Sequence, residues 1–179
     1  LDFLDGKYTF VNERLAKHYG IPGPRGRKFE RVELDGVQRA GVITHGSVLT
    51  VTSNPTRTSP VKRGKFILEN ILGTPPPPPP GEVPELQDNA EAKLAGSLRQ
   101  RMEQHREDPA CALCHKHMDP IGFGLENYDA VGKFRAQEGG AEIDASGAMP
   151  NGSIVRGPGD LKKILLERQD DFVECISEK

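Results

Sequence analysis

Apolar positions along this chain change period several times, and each change marks an element. After an alternating, turn-bearing start, Phe10, Val11, Leu15 and Tyr19 recur at helical spacing and Gly20 supplies a stop, so a short helix is predicted to end there. Pro22, Gly23, Pro24 and Gly26 make the next stretch a loop. Residues 29 to 34 alternate apolar and charged side chains ahead of Asp35-Gly36, the pattern of a short strand entering a hairpin turn. Residues 40 to 52 are rich in Val, Ile and Thr, which favours a strand, at a length that also permits a helix. Ser59-Pro60 has the form of an N-cap followed by a first-turn proline, and Val61, Phe66, Ile67, Ile71 and Leu72 then share one side of a helix stopped by Gly73.

The clearest helical pattern covers residues 90 to 106, where Ala92, Leu94, Ala95, Leu98 and Met102 form a stripe among charged and amide side chains. Asp108-Pro109 breaks and restarts the helix, placing residues 111 to 117 on the turns that follow. Asp119 and Pro120 read as N-cap and first residue of a further short helix. Ile121, Phe123, Leu125, Tyr128, Val131 and Phe134 supply apolar surface beyond it. Residues 142 to 155 read as two short strands round a turn, and 158 to 168 and 170 to 179 as two helices.

Between these halves stand six consecutive prolines, residues 75 to 80. They stiffen the chain into extended polyproline II over roughly 20 Å and exclude helix or central strand. A rigid spacer explains them better than a ligand for a proline-reading module. The expected organisation is a helical or irregular module over residues 1–74, a proline-rich linker over 75–89, and a haem-binding module over 90–179, cut short at its C-terminus, the two modules forming separate packed units or one mainly helical body with the linker on its surface. The chain starts at Leu1 and stops inside a helical pattern, which reads as a piece of a longer protein.

Composition narrows the function classes. Lys and Arg total 24 against 26 Asp and Glu, so the charge balance gives no reason to expect nucleic acid or an anionic membrane as partner. No apolar run approaches a membrane-spanning length. Arg57, Lys62, Arg63 and Lys65 make a local basic cluster, read first as a solvated face and second as a contact for haem propionates or a partner. No Ser/His/Asp set, phosphate loop or paired-carboxylate signature is present, so no catalytic residue is assigned. The acidic and amide groups of residues 144 to 151 match turn chemistry better than a calcium loop.

The chemistry that stands out is Cys111-Ala112-Leu113-Cys114-His115. Two cysteines three apart with a histidine behind the second form the covalent haem-attachment pattern, CxxCH. Residues three apart share a face of a helical turn, so both thiols can add to the vinyl groups on one porphyrin edge while His115 meets the iron. A zinc site using His117 is the alternative. Zinc usually draws on two separated ligand pairs, and the one remaining cysteine, Cys175, reads as a buried lone thiol. The expected cofactor is haem c, bound by Cys111, Cys114 and His115, with His115 as proximal iron ligand. One short turn cannot easily serve both faces of the ring, which disfavours His117 and Met118 as the sixth ligand. The candidates are His105 and Met149, with His45 a weaker one and an open site also allowed.

Residues 8 to 20, 52 to 64, the proline run and residues 111 to 135 together resemble the multidomain, secreted cytochrome c proteins of planctomycetes, whose C-terminal parts are domains of unknown function. The resemblance implies adjacent modules within a longer parent that carries another cytochrome-like module and sometimes a carbohydrate-binding one. It carries over Cys111, Cys114 and His115 as haem residues and no other role. The expected fold is mainly α, with small helical modules, short β-hairpins and a proline-rich linker, the C-terminal part being cytochrome c-like around the CxxCH site.

Covalent haem attachment implies a periplasmic or extracellular location, because its thiol chemistry takes place outside the cytoplasmic membrane. Electron transfer is the favoured function, with a redox protein or another domain of the same parent as partner. A haem oxidase or peroxidase-like enzyme would need a vacant sixth position. A structural module in a polysaccharide-associated parent is the third reading, since a chain with three Tyr, seven Phe and no Trp gains a large apolar body from a porphyrin.

Overall fold

A computed structural model describes residues 2–36, 38–78, 98–105 and 109–179 of the chain. Helix α1 (Asp2–Asp5) leads into strand β1 (Tyr8–Val11) and helix α2 (Glu13–Tyr19). Asn12 caps α2 by accepting the Leu15 N–H at 3.0 Å, and Gly20 ends it with φ 68°, the left-handed conformation that favours glycine. Strand β2 (Glu30–Glu33) forms where alternation predicts it, but its partner lies upstream. It pairs antiparallel with β1, Tyr8 opposite Glu33 and Val11 opposite Glu30, and Asp35-Gly36 turns no onward hairpin.

Residues 42 to 51 fold as a 3-10 turn (Val42–Thr44) and helix α3 (Gly46–Val51), so helix wins over β-propensity here. The hydroxyls are satisfied inside the helical path by donating to carbonyls four residues back: Thr44 to Ala40, Thr50 to Gly46, Thr52 to Val48 and Ser53 to Leu49. Helix α4 (Pro60–Asn70) then starts as its sequence dictates, with Ser59 Oγ accepting the Lys62 N–H at 3.3 Å. Of the prolines that follow, Pro75, Pro77 and Pro78 are exposed. Leu94 and most of the stripe predicted for residues 90 to 106 lie outside the described residues. The part described is helix α5 (Leu98–His105), whose Met102 is buried against Phe123, with Val61 packed on the pair.

Helix α6 (Pro109–Phe123) contains the whole CxxCH stretch and runs on through Asp119 and Pro120, so no new helix starts there. Pro120 lacks the N–H that would bond the Lys116 carbonyl, a loss that ordinarily breaks a helix. Here tertiary packing on both sides outweighs it: α6 lies against α4, and Gly147 seats directly on Pro120. Strands β3 (Gln137–Glu138) and β4 (Ala141–Glu142) form one hairpin, and β5 (Ser146–Ala148) and β6 (Ile154–Arg156) another. Helices α7 (Pro158–Glu167) and α8 (Gln169–Ser177) end the chain.

The architecture is therefore mixed α/β, with three two-stranded antiparallel sheets among the described residues, and not the mainly α, cytochrome c-like arrangement expected from the motif. The cause is visible in the packing. Leu4, Ile43, Leu49, Ile67 and Leu68, from before the proline run, share one core with Ile121, Leu125, Tyr128, Val155, Leu161 and Phe172, from after it. The apolar residues beyond the motif thus bury against the N-terminal segment and the second hairpin. A smaller cluster of Val11, Ala16 and Tyr19 lies under the β1–β2 sheet. Among the described residues no helix is long and apolar enough to cross a membrane.

The α4–α6 contact is backbone on backbone. A Cβ on Gly64 would overlap the Met118 carbonyl, and one on Gly122 would overlap the carbonyl of Pro60. Because neither obstacle is a movable side chain, Gly64→Ala should force the helices apart and cost about 3 kcal/mol in denaturant unfolding. Gly159→Ala, where an added Cβ meets open space, should stay within about 0.5 kcal/mol of the parent.

Candidate functional site

Cys111, Cys114 and His115 occupy successive turns near the start of α6, on one side of the helix. Both cysteines are free thiols and half-buried, and Cys114 packs against the edge of the main core. Leu113, on a different face, is exposed. His115 is nearly buried, its side chain 13% exposed, and its Nδ1 lies 3.0 Å from Oδ1 of Asp119, one turn further on. Asp119 is fully buried. The structure thus carries the two thiols and the imidazole on one helix and sets beside the imidazole a carboxylate that the sequence reading had assigned to a helix cap. The available signal was its spacing, four residues after a histidine on one helix.

The other candidates are placed as follows. His117 is exposed on α6, whereas Met118 is buried in the main core and faces α4. Met149 follows β5, the strand that lies on α6, and its partly buried side chain packs on the same core as Cys114. His105 ends α5, and its side chain lies outside the described residues. Cys175 is a buried thiol with Sγ 3.7 Å from the Glu69 carbonyl. Among the described residues no group of three or more His, Cys, Asp or Glu is gathered to hold a metal ion.

Around α6 the charges are internal. Arg63, expected on a solvated basic face, is buried: Nη1 donates to the carbonyls of Leu125 and Tyr128, each at 2.8 Å, and Nη2 to the Asp129 carbonyl at 2.8 Å and Ser53 Oγ at 3.1 Å. Burial pushes its pKa down to about 10, against the pull of Glu126. Glu126 Oε1 accepts from Thr58 at 2.5 Å and from Arg135 at 3.0 Å. Its carboxyl is pushed up by burial, which outweighs that hydrogen bond and both guanidiniums. Arg39 is likewise buried, stacked over the Tyr19 ring at 3.9 Å and donating to the Thr44 carbonyl at 2.6 Å.

Two cavities lie away from the thiols. One of about 480 Å³ is lined by Tyr8, Phe10, His18, Tyr19, His45 and Ser47 among others, and His18 Nε2 sits 2.8 Å from the Val131 carbonyl. The other, of about 110 Å³, lies beside Arg99 and Phe123, where the guanidinium stands 4.0 Å from the ring centre. His45, the weakest of the ligand candidates, belongs to the first cavity. Burial, and secondarily the charge of Arg39, lower its pKa and favour the neutral ring.

Residues 39–138 match the family described as PSCyt3, protein of unknown function (DUF1588). The match spans more than half of the chain, which belongs to that family. No curated protein and no solved structure matches the chain.

The depressed His45 pKa fixes a sign for stability. Between its folded value and the ordinary 6.5, the unfolded chain binds a proton that the folded chain refuses, so stability falls as pH drops through that window. Denaturant midpoints measured from pH 7.5 downward should decline less steeply in His45→Gln than in the parent across the same interval.

Proposed function

We propose that this chain binds haem c covalently through Cys111 and Cys114, with His115 as the axial ligand, and serves electron transfer within a secreted, multidomain planctomycete-type cytochrome. The observation that carries the reading is the donor set: two free thiols three apart on one helical side, half-accessible, with an imidazole beside them whose Nδ1 already has a carboxylate partner. That set fits a haem. The thiols would anchor the porphyrin edge, and Nε2 of His115 would be the coordinating atom. Haem, when bound, supplies reversible one-electron chemistry.

The reading concerns the attachment site and not a family fold, because the motif requires only one helical face and a reachable ring edge. For the sixth position the chain offers Met149, whose turn lies beside the strand packed on α6, and His105 at the end of α5. A periplasmic or extracellular location follows from where such thioether bonds are made. The partner is then another redox domain of the parent or a separate redox protein, with carbohydrate reached through the parent.

Expression with c-type maturation tests the site. Denatured, extracted wild type should retain one haem by intact mass, and the double variant Cys111→Ala, Cys114→Ala should retain none; a haem-free wild type would sink the reading. In the oxidised optical spectrum, Met149→Ala should abolish a far-red sulfur-to-iron band if Met149 completes the iron site. An unchanged band would assign that position elsewhere.

A further inference from the structure

We infer that Asp119 is the positioning residue of the haem site and sets it to a low reduction potential, so that its electron partners are low-potential donors and acceptors. This rests on reading Cys111, Cys114 and His115 as the haem residues. A carboxylate in a fully buried position costs several kcal/mol in most settings, and such groups persist where they are hydrogen-bonded or paired. Asp119 is fully buried and its Oδ1 lies 3.0 Å from His115 Nδ1. Both residues stand on α6, one turn apart, so the hydrogen bond is held by the helix itself.

Three consequences follow from chemistry. The Nδ1 hydrogen is directed at the carboxylate, which fixes the tautomer and gives Nε2 the lone pair. The ring plane is fixed with it, since rotation about the Cβ–Cγ bond would break the hydrogen bond. The carboxylate also sets a negative charge against the ring that would ligate the iron, which would stabilise ferric over ferrous iron and lower the potential. With haem bound, the one-electron chemistry would be the iron's, and the part of His115 and Asp119 would be to keep the Nδ1 proton on the ring throughout.

The surrounding fold explains how the carboxylate is kept dry. Met118, on one side of Asp119 in sequence, faces Gly64 of α4, and Pro120, on the other side, lies under Gly147 of β5. The segment carrying Asp119 is therefore clamped from two directions, while the thiols one to two turns earlier remain half-accessible. Sequence reasoning missed this because Asp119-Pro120 matches a helix start so well on its own.

The test uses Asp119→Asn, which keeps the shape and removes the charge, and Asp119→Leu, which removes the hydrogen bond as well. In haem-loaded protein held at the wild-type midpoint potential, Asp119→Asn should raise the ferrous-to-ferric ratio about tenfold, equivalent to about 59 mV for one electron. Haem content by denatured mass should not change. A ratio within twofold of wild type, in a variant with normal haem content, overturns the inference and leaves the attachment reading intact. Nitrogen NMR of the haem-free wild type provides a readout that needs neither haem nor a folded variant. His115 should be the Nδ1–H tautomer at neutral pH, and an Nε2–H tautomer overturns the inference even if no haem ever attaches. If Asp119→Leu folds, its His115 should shift toward Nε2–H, and retention of the wild-type tautomer counts against Asp119.

Discussion

A single buried guanidinium holds the two principal helices of this protein in register. Arg63 reaches from the first half of α4 into the turn that follows α6 and donates to the carbonyls of Leu125, Tyr128 and Asp129, of which Leu125 and Asp129 also accept backbone N–H groups within the turn. No neutral side chain offers so many donors in a fixed fork. The cost is a desolvated charge, visible as a pKa pushed down to about 10, yet the group stays ionised at neutral pH. Glu126 offsets that charge from 3.9 Å and is itself held by Thr58 and Arg135. Removing one member of such a set leaves the others buried and unmatched, which costs more than the pair contributes.

With the turn fixed, the backbones of α4 and α6 can close to contact. Gly64 against the Met118 carbonyl and Gly122 against that of Pro60 permit a separation that any side chain would forbid. Residues on both sides of the proline run then fill one core. This is why the segment after the proline run did not build a cytochrome c-like core of its own. Leu125 and Tyr128, which could have faced a porphyrin, instead face Ile43, Leu49 and Ile67 or the packing around them.

Local rules made much of the chain legible. Ser59-Pro60 started α4 and Gly20 closed α2, because capping depends on the few residues involved. The hairpin over residues 146 to 156 and the last two helices followed from turn chemistry and period. The failures share a cause. Nothing near β2 names β1 as its partner, nothing around Arg63 tells a buried arginine from its exposed neighbours Lys62 and Lys65, and Asp119-Pro120 is locally a helix start that packing overrides. Each depends on residues distant in sequence, which periodicity cannot see.

The candidate site was legible for the converse reason. CxxCH asks only for one stretch of one helix, a demand set at short range whatever fold surrounds it, and α6 carries Cys111, Cys114 and His115 even though the expected fold did not form. The fold contributes the contrast along α6. Its C-terminal half is pinned by Gly64, Gly122 and the Arg63-bound turn and can therefore hold a buried carboxylate in place. Its N-terminal half stays open enough for chemistry at sulfur, with both thiols half-buried and Leu113 exposed. A rigid half next to His115 and an accessible half carrying the cysteines are what the proposed covalent attachment would ask of the helix. Here one continuous helix, running through its own proline, supplies both.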